Sequence, residues 1–229
     1  SSRRAFVAGA SGYTGRALTA QLVARGVATH AHLRPGSASL DALQQAFAAA
    51  GAVVDTTAWS PDAMTETLRR IRPDYVFALL GTTRRRMRDA RPGEPSGYEA
   101  VDYGLTSLLL SATLAAAPHA HFVYLSAMGV GPRARGDYMR VRWRMEEELR
   151  SSGIRHTIIR PAFVTGPDRD ESRPLERVAA TVIDAGLAVA ALFGARRLRQ
   201  RFRSRTADEL AGEILDRLDR PPAAAHGDD

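Results

Sequence analysis

Three glycines spaced three apart, Gly9-x-x-Gly12-x-x-Gly15, begin where the apolar run Arg4-Ala5-Phe6-Val7-Ala8 ends. Beyond them Ala17, Leu18, Leu22 and Val23 recur at helical spacing between Arg16 and Arg25. The chain must therefore turn tightly from a strand into a helix within its first residues. A dinucleotide diphosphate asks for that geometry: backbone approach without a Cβ, a sharp turn, and amides aimed at phosphate from a helix N-terminus. An ordinary tight turn can use the same residues, and the spacing differs from the G-x-G-x-x-G fingerprint.

The rest of the chain repeats the alternation. Strand patterns lie at Thr29–Leu33, Ala52–Asp55, Asp74–Leu80, His121–Leu125 and Arg155–Ile159. Between them, Ser39 is placed to cap a helix through Phe47, and Ser60-Pro61-Asp62 opens another with proline in its first turn. Tyr98 to Ala116 and Tyr138 to Ser151 complete the helical patterns. The strands are short and apolar without strict alternation, as in a parallel sheet covered on both faces. The expected fold class is one doubly wound α/β domain over residues 1–220. A small, partly helical substrate-facing segment spans 165–205, and a flexible tail follows at 221–229.

Composition narrows the chemistry. Among 229 residues there is no cysteine, so disulfides, thiolate nucleophiles and cysteine metal sites are excluded. All 32 basic residues are arginine, against 25 acidic ones. A guanidinium keeps its charge at any working pH, so no side-chain amine here forms a Schiff base or relays a proton. The N-terminus reaches a glycine too soon for a signal-peptide apolar region, and a cytoplasmic protein is expected.

Arg34 follows the second strand, where dinucleotide enzymes select their cofactor. An acidic residue there would bind a ribose 2′-hydroxyl, whereas arginine suits a 2′-phosphate. No Asp or Glu occurs between Gly15 and Asp41. NADP(H) is therefore expected in preference to NAD(H), with a solvated loop arginine as the alternative.

Gly9-Ala10-Ser11-Gly12-Tyr13-Thr14-Gly15, Leu33-Arg34, Leu80-Gly81-Thr82-Thr83, Val101-Asp102-Tyr103, Tyr124-Leu125-Ser126-Ala127 and Ile159-Arg160-Pro161-Ala162-Phe163-Val164 occur in one order. In this combination the chain resembles the atypical short-chain dehydrogenases/reductases, nearest to their NmrA-like and Tat-interacting-protein-like branch. The resemblance implies a Rossmann sheet with a nicotinamide dinucleotide across its carboxyl edge. It assigns cofactor contacts to Gly9, Ser11, Gly12, Tyr13, Thr14 and Gly15, to Gly81, Thr82 and Thr83 beside the adenosine ribose, and to Pro161, Phe163 and Val164 near the nicotinamide.

The same resemblance gives Ser126 the substrate carbonyl and Tyr138 the substrate proton. Where the family has a lysine four residues after the tyrosine, this chain has Arg142. Arginine can supply positive charge and hold ribose hydroxyls, but it cannot pass a proton onward. Two functions follow: an NADP(H)-dependent reductase or dehydrogenase acting on a small carbonyl compound, or a catalytically silent NADP(H)-binding regulator or assembly factor. A monomer and a homodimer are both compatible with the chain.

Other features are weaker. Arg84, Arg85, Arg86, Arg88 and Arg91, and the arginines from Arg196 to Arg205, lack an interleaved aromatic platform, so a solvated face is preferred to nucleic-acid binding. The apolar stretch Val178–Phe193 is interrupted by Asp184 and short of the roughly 20 residues a span needs. A helix over the substrate pocket is preferred there to a membrane-surface anchor. His30-x-His32 lacks supporting ligands for zinc, and Glu146, Glu147 and Glu148 are expected to pair with arginines along their helix.

Overall fold

The computed structural model describes residues 2–35, 40–81, 97–161 and 206–219. Six parallel strands form one sheet: β1 (Arg4–Ala8), β2 (Ala28–His32), β3 (Val53–Asp55), β4 (Tyr75–Ala78), β5 (His121–Leu125) and β6 (His156–Ile159). Their order is β3-β2-β1-β4-β5-β6. The order reverses between β1 and β4, which opens a crevice at their carboxyl ends, the place where doubly wound sheets bind ligands.

The helices are α1 (Tyr13–Ala24), α2 (Leu40–Ala49), α3 (Pro61–Ile71), α4 (Thr106–Ala116), α5 (Asp137–Ser151) and α6 (Ala207–Asp219). Side-chain alternation along the strands sorts the core into two layers. Ala5 and Val7 of β1, Phe77 of β4 and Val123 of β5 pack with Leu18, Leu22 and Phe47 on one face. Phe6, Ala8, Val76, Phe122 and Tyr124 point the other way, toward Met64, Leu68, Leu109, Met145 and Leu149. A strand buried on both sides cannot show a polar stripe, which explains the continuous apolar runs.

Several boundaries differ from the expected ones. α1 begins at Tyr13 rather than Arg16, because Gly12 takes the extended N-cap conformation (φ −70°, ψ 163°) and the helix starts at once. Ser60 caps α3 by accepting from the amide of Ala63, as its position suggested. The helical stretch expected from Tyr98 to Ala116 is two structures: a π-helical segment at Tyr98–Leu105 runs into α4.

α6 was not anticipated as an element. Its Leu210, Ala211, Ile214, Leu215 and Leu218 are buried in the same layer as Leu18 and Leu22 of α1. Thr206 and Glu209 open it reciprocally: the Thr206 hydroxyl accepts from the Glu209 amide, and the Glu209 carboxylate accepts from the Thr206 amide. That spacing and the apolar period were both present in the sequence. The segment 165–205 and the tail 221–229 lie outside the described residues.

Candidate functional site

The turn after β1 is built by backbone geometry. Gly9 has φ +86°, a conformation that favours glycine, and its carbonyl accepts from the Gly12 amide at 3.0 Å. A Cβ on Gly9 would lie 2.7 Å from the Leu79 carbonyl oxygen, and one on Gly15 would lie 2.2 Å from the Gly9 oxygen. These two glycines let β1, β4 and α1 approach one another. A Cβ on Gly12 would meet Gly9 O at 3.2 Å, and no side chain from Gly12 caps the helix. The result is a helix N-terminus entered through glycines that bring no Cβ to the turn, which fits a diphosphate. Ser11, Tyr13 and Thr14 line the same turn, partly exposed, while Gly15 is buried beneath it.

Arg34 stands exposed just past β2, after Leu33 donates its amide to the Asp55 carbonyl. Asp55, which ends β3, is buried and accepts from the Thr57 amide at 3.0 Å. His32 is also committed inward, with Nε2 2.8 Å from the Thr57 oxygen and its ring between Phe6 and Trp59.

The second half of the site lies at the carboxyl ends of β4 and β5. Arg142 of α5 is 5% exposed. Its guanidinium donates to Asp102 Oδ1 at 2.7 Å, to the Leu80 carbonyl at 3.3 Å, to the Leu125 carbonyl, and to the Tyr124 hydroxyl at 3.4 Å. Asp102, fully buried, is delivered by the π-helical segment. A Cβ on Gly81 would come within 3.2 Å of Arg142, so glycine is what lets β4 end over the guanidinium. Burial opposes Arg142's charge, yet Tyr124, Tyr138 and Asp102 together hold its pKa above the usual value. Burial first of all pushes the Tyr124 phenol up to about 12.

Tyr138 lies one helical turn before Arg142. Its ring sits over the guanidinium carbon, 5.0 Å from ring centroid to Cζ, and meets Tyr98 edge-on at 5.1 Å. The structure thus joins Tyr138 to Arg142 as the four-residue spacing implied. Arg142's four terminal N–H groups all point at protein acceptors, a commitment the expected hold on ribose hydroxyls did not include.

Ser126, 4% exposed, follows Leu125 at the end of β5. Its hydroxyl donates to Glu146 Oε1 at 2.6 Å. Glu146 is fully buried and also accepts from Arg150 and, through both oxygens, from Arg160. Burial alone would raise its pKa; the hydrogen bonds from Arg160, Ser126 and Arg150 outweigh that and lower it. Glu146 and Glu147 both pair with Arg150 along the helix, as expected. Glu148 is the correction: its carboxylate accepts from Ser107 of α4. Glu146 in addition reaches off the helix to Arg160, just past β6.

Pro161, buried, accepts from the Met128 amide at 3.1 Å and ties the segment after β6 to the one after β5. Thr82, Thr83, Phe163 and Val164 lie outside the described residues, as do both arginine clusters and the apolar stretch Val178–Phe193. Among the described residues no helix is long and apolar enough to cross a membrane. Asp102 and Glu146 are the site residues that sequence reasoning missed. Asp102 was visible within the Val101-Asp102-Tyr103 motif; nothing local marked Glu146 as buried.

Comparison with known proteins places this geometry. The chain is 33% identical over 108 residues to protein fmp52-1, mitochondrial, of Aspergillus terreus, covering 47% of this chain and 44% of that protein. It is 30% identical over 126 residues to protein fmp52, mitochondrial, of Emericella nidulans, covering 55% and 50%. The matched regions span about half the length of these curated relatives. Their names overturn the cytoplasmic expectation.

Among solved structures, a short-chain dehydrogenase/reductase from Serratia marcescens superposes with a TM-score of 0.63 at 14% identity, covering 96% of this chain and 91% of that one. The UDP-Glc/GlcNAc 4-epimerase from Campylobacter jejuni gives 0.61 at 16%, covering 80% and 63%. Both share the Rossmann fold. The model of the NAD(P)H-binding family matches residues 9–185, spanning the glycine turn and the Ser126, Tyr138 and Arg142 positions. The chain belongs to the NAD(P)H-binding family and shares the Rossmann fold of the structures it superposes on.

Proposed function

We propose that this protein is an NADP(H)-dependent reductase of a small carbonyl compound. The observation that carries the proposal is Tyr138 seated on the Arg142 guanidinium, which is fastened to the strand-end carbonyls of Leu80 and Leu125. A proton donor is thereby held beside the carboxyl ends of β4 and β5, where this fold brings ligand and chemistry together. Gly9, Gly12 and Gly15 with the α1 N-terminus would hold the diphosphate, and Arg34 would meet the 2′-phosphate. The bound nicotinamide supplies hydride. Tyr138 gives its hydroxyl proton to the substrate oxygen, general acid catalysis typically worth about 100-fold or more. Ser126 would orient that oxygen only after its hydroxyl leaves Glu146.

That last requirement favours a second reading: an NADP(H)-binding protein without turnover, in which Ser126 and Arg142 serve the fold. One experiment separates them. Calorimetry with NADPH and NADH should show tighter NADPH binding, lost in Arg34→Ala. NADPH oxidation should then appear with a member of a ketone, aldehyde and quinone panel and fall about 100-fold in Tyr138→Phe. Binding without oxidation by any member selects the silent reading; equal turnover by Tyr138→Phe removes Tyr138 as the acid.

A further inference from the structure

We infer that Asp102 is a positioning residue: its carboxylate holds the Arg142 guanidinium as the platform on which the Tyr138 ring rests. As a role in turnover this rests on the reductase reading; as a statement about the ring it does not.

Asp102 is fully buried, Arg142 nearly so, and they meet at 2.7 Å. A buried charged group is tolerated when its partner is well placed, and here the partner's direction matters. NH2 is shared between Asp102 and the Leu80 carbonyl, while NH1 points at the Leu125 carbonyl and the Tyr124 hydroxyl. A planar fork fixed at both prongs has one orientation left, and that orientation puts Cζ 5.0 Å from the Tyr138 ring centroid. Tyr98, on the same π-helical segment as Asp102, closes on Tyr138 edge-on. The wide helical turn thus supplies both the anchor for the platform and a wall for the ring. A regular α-helix over Tyr98–Leu105 would rotate one relative to the other. Elsewhere on α5, Arg140 pairs with Asp137 on the exposed surface, so burial of the Arg142 pair reflects its place and not helix composition.

The test labels the whole chain with 3-fluorotyrosine. The Tyr138 resonance is identified among the six tyrosines by its loss in Tyr138→Phe. Asp102→Ala should displace and broaden that resonance, whereas Asp102→Asn, which keeps an acceptor for NH2, should leave it near the wild-type position even as thermal stability falls. Should Asp102→Ala fail to fold, Arg142→Lys reads the same contact. It keeps the charge but not the fork, and should also displace the resonance. In an active enzyme, Asp102→Ala or Arg142→Lys should lower kcat about 100-fold with KM little changed. A Tyr138 resonance unmoved in the folded variant overturns the inference and leaves Asp102 a neutraliser of buried charge. If the wild-type protein oxidises NADPH with no carbonyl compound, the reductase reading fails while the fluorine comparison still decides the platform.

Discussion

The two ends of the crevice are made from different materials. At β1 and α1 the site is backbone: a positive φ at Gly9, a missing Cβ at Gly15, amides at a helix start. At β4, β5 and α5 it is charge: Asp102 against Arg142, and Glu146 holding Ser126, Arg150 and Arg160. Backbone shape responds to volume and hardly to pH or salt. Buried ion pairs respond to protonation and to removal of a partner. The contrast teaches that one crevice can be insensitive to solution conditions at its glycine end and dependent on them at its ion-pair end.

The strongest way to break the contrast is Arg142→Ala. It leaves the Asp102 carboxylate buried without its arginine and should cost about 3–5 kcal/mol in urea unfolding. A loss below about 1 kcal/mol would mean that the pair is not structurally coupled. Gly15→Ala, with its new Cβ 2.2 Å from the Gly9 oxygen, should cost about 2–3 kcal/mol and weaken NADPH binding by the same route. Its penalty should be the same at low and high salt; a salt-dependent penalty would erase the distinction.

Acid sharpens it from the other side. Burial, with help from Arg155, holds the His121 pKa at about 4 against an ordinary 6.5. Between those values the unfolded chain binds the proton and the native one does not, so stability is complete above 6.5 and declines as pH falls toward 4. The decline should stay below about 3 kcal/mol, the ceiling set by that displacement and reduced by solvent screening, and His121→Gln, which can still bond Thr157, should flatten it. The smallest effect belongs to the exposed pair of Arg140 and Asp137. Asp137→Ala should change stability by less than about 0.5 kcal/mol, placing burial rather than ion pairing as the cause of the larger losses.

The same division governs how far the site could be read from residues alone. Gly9, Gly12 and Gly15 were legible because their requirement is local: a turn, a close approach and a helix start fall within seven positions. The sheet was legible because apolar runs buried on both faces alternate with helices. The partners of Arg142 and Ser126 were not, because Asp102 and Glu146 lie 40 and 20 positions away from them. Nothing in the spacing of Tyr98 to Ala116 announces a widened turn at its start, and that turn is what brings Asp102 inward. Cytoplasmic residence was read from the chain's opening residues, and the relatives' names overturned it. Helix α6 was legible in principle, since Thr206 and Glu209 open it and leucines follow in register.

That helix has a consequence for biosynthesis. During synthesis, Leu18 and Leu22 leave the ribosome long before Leu210, Ile214 and Leu215 are made to cover them. Arg3 and Arg25 likewise wait for Asp216 and Asp219. A nascent chain that has already assembled its glycine turn still carries an oily stripe along its first helix. Ribosome stalling before residue 207 should therefore leave Leu18 and Leu22 without their α6 cover and open to a chaperone.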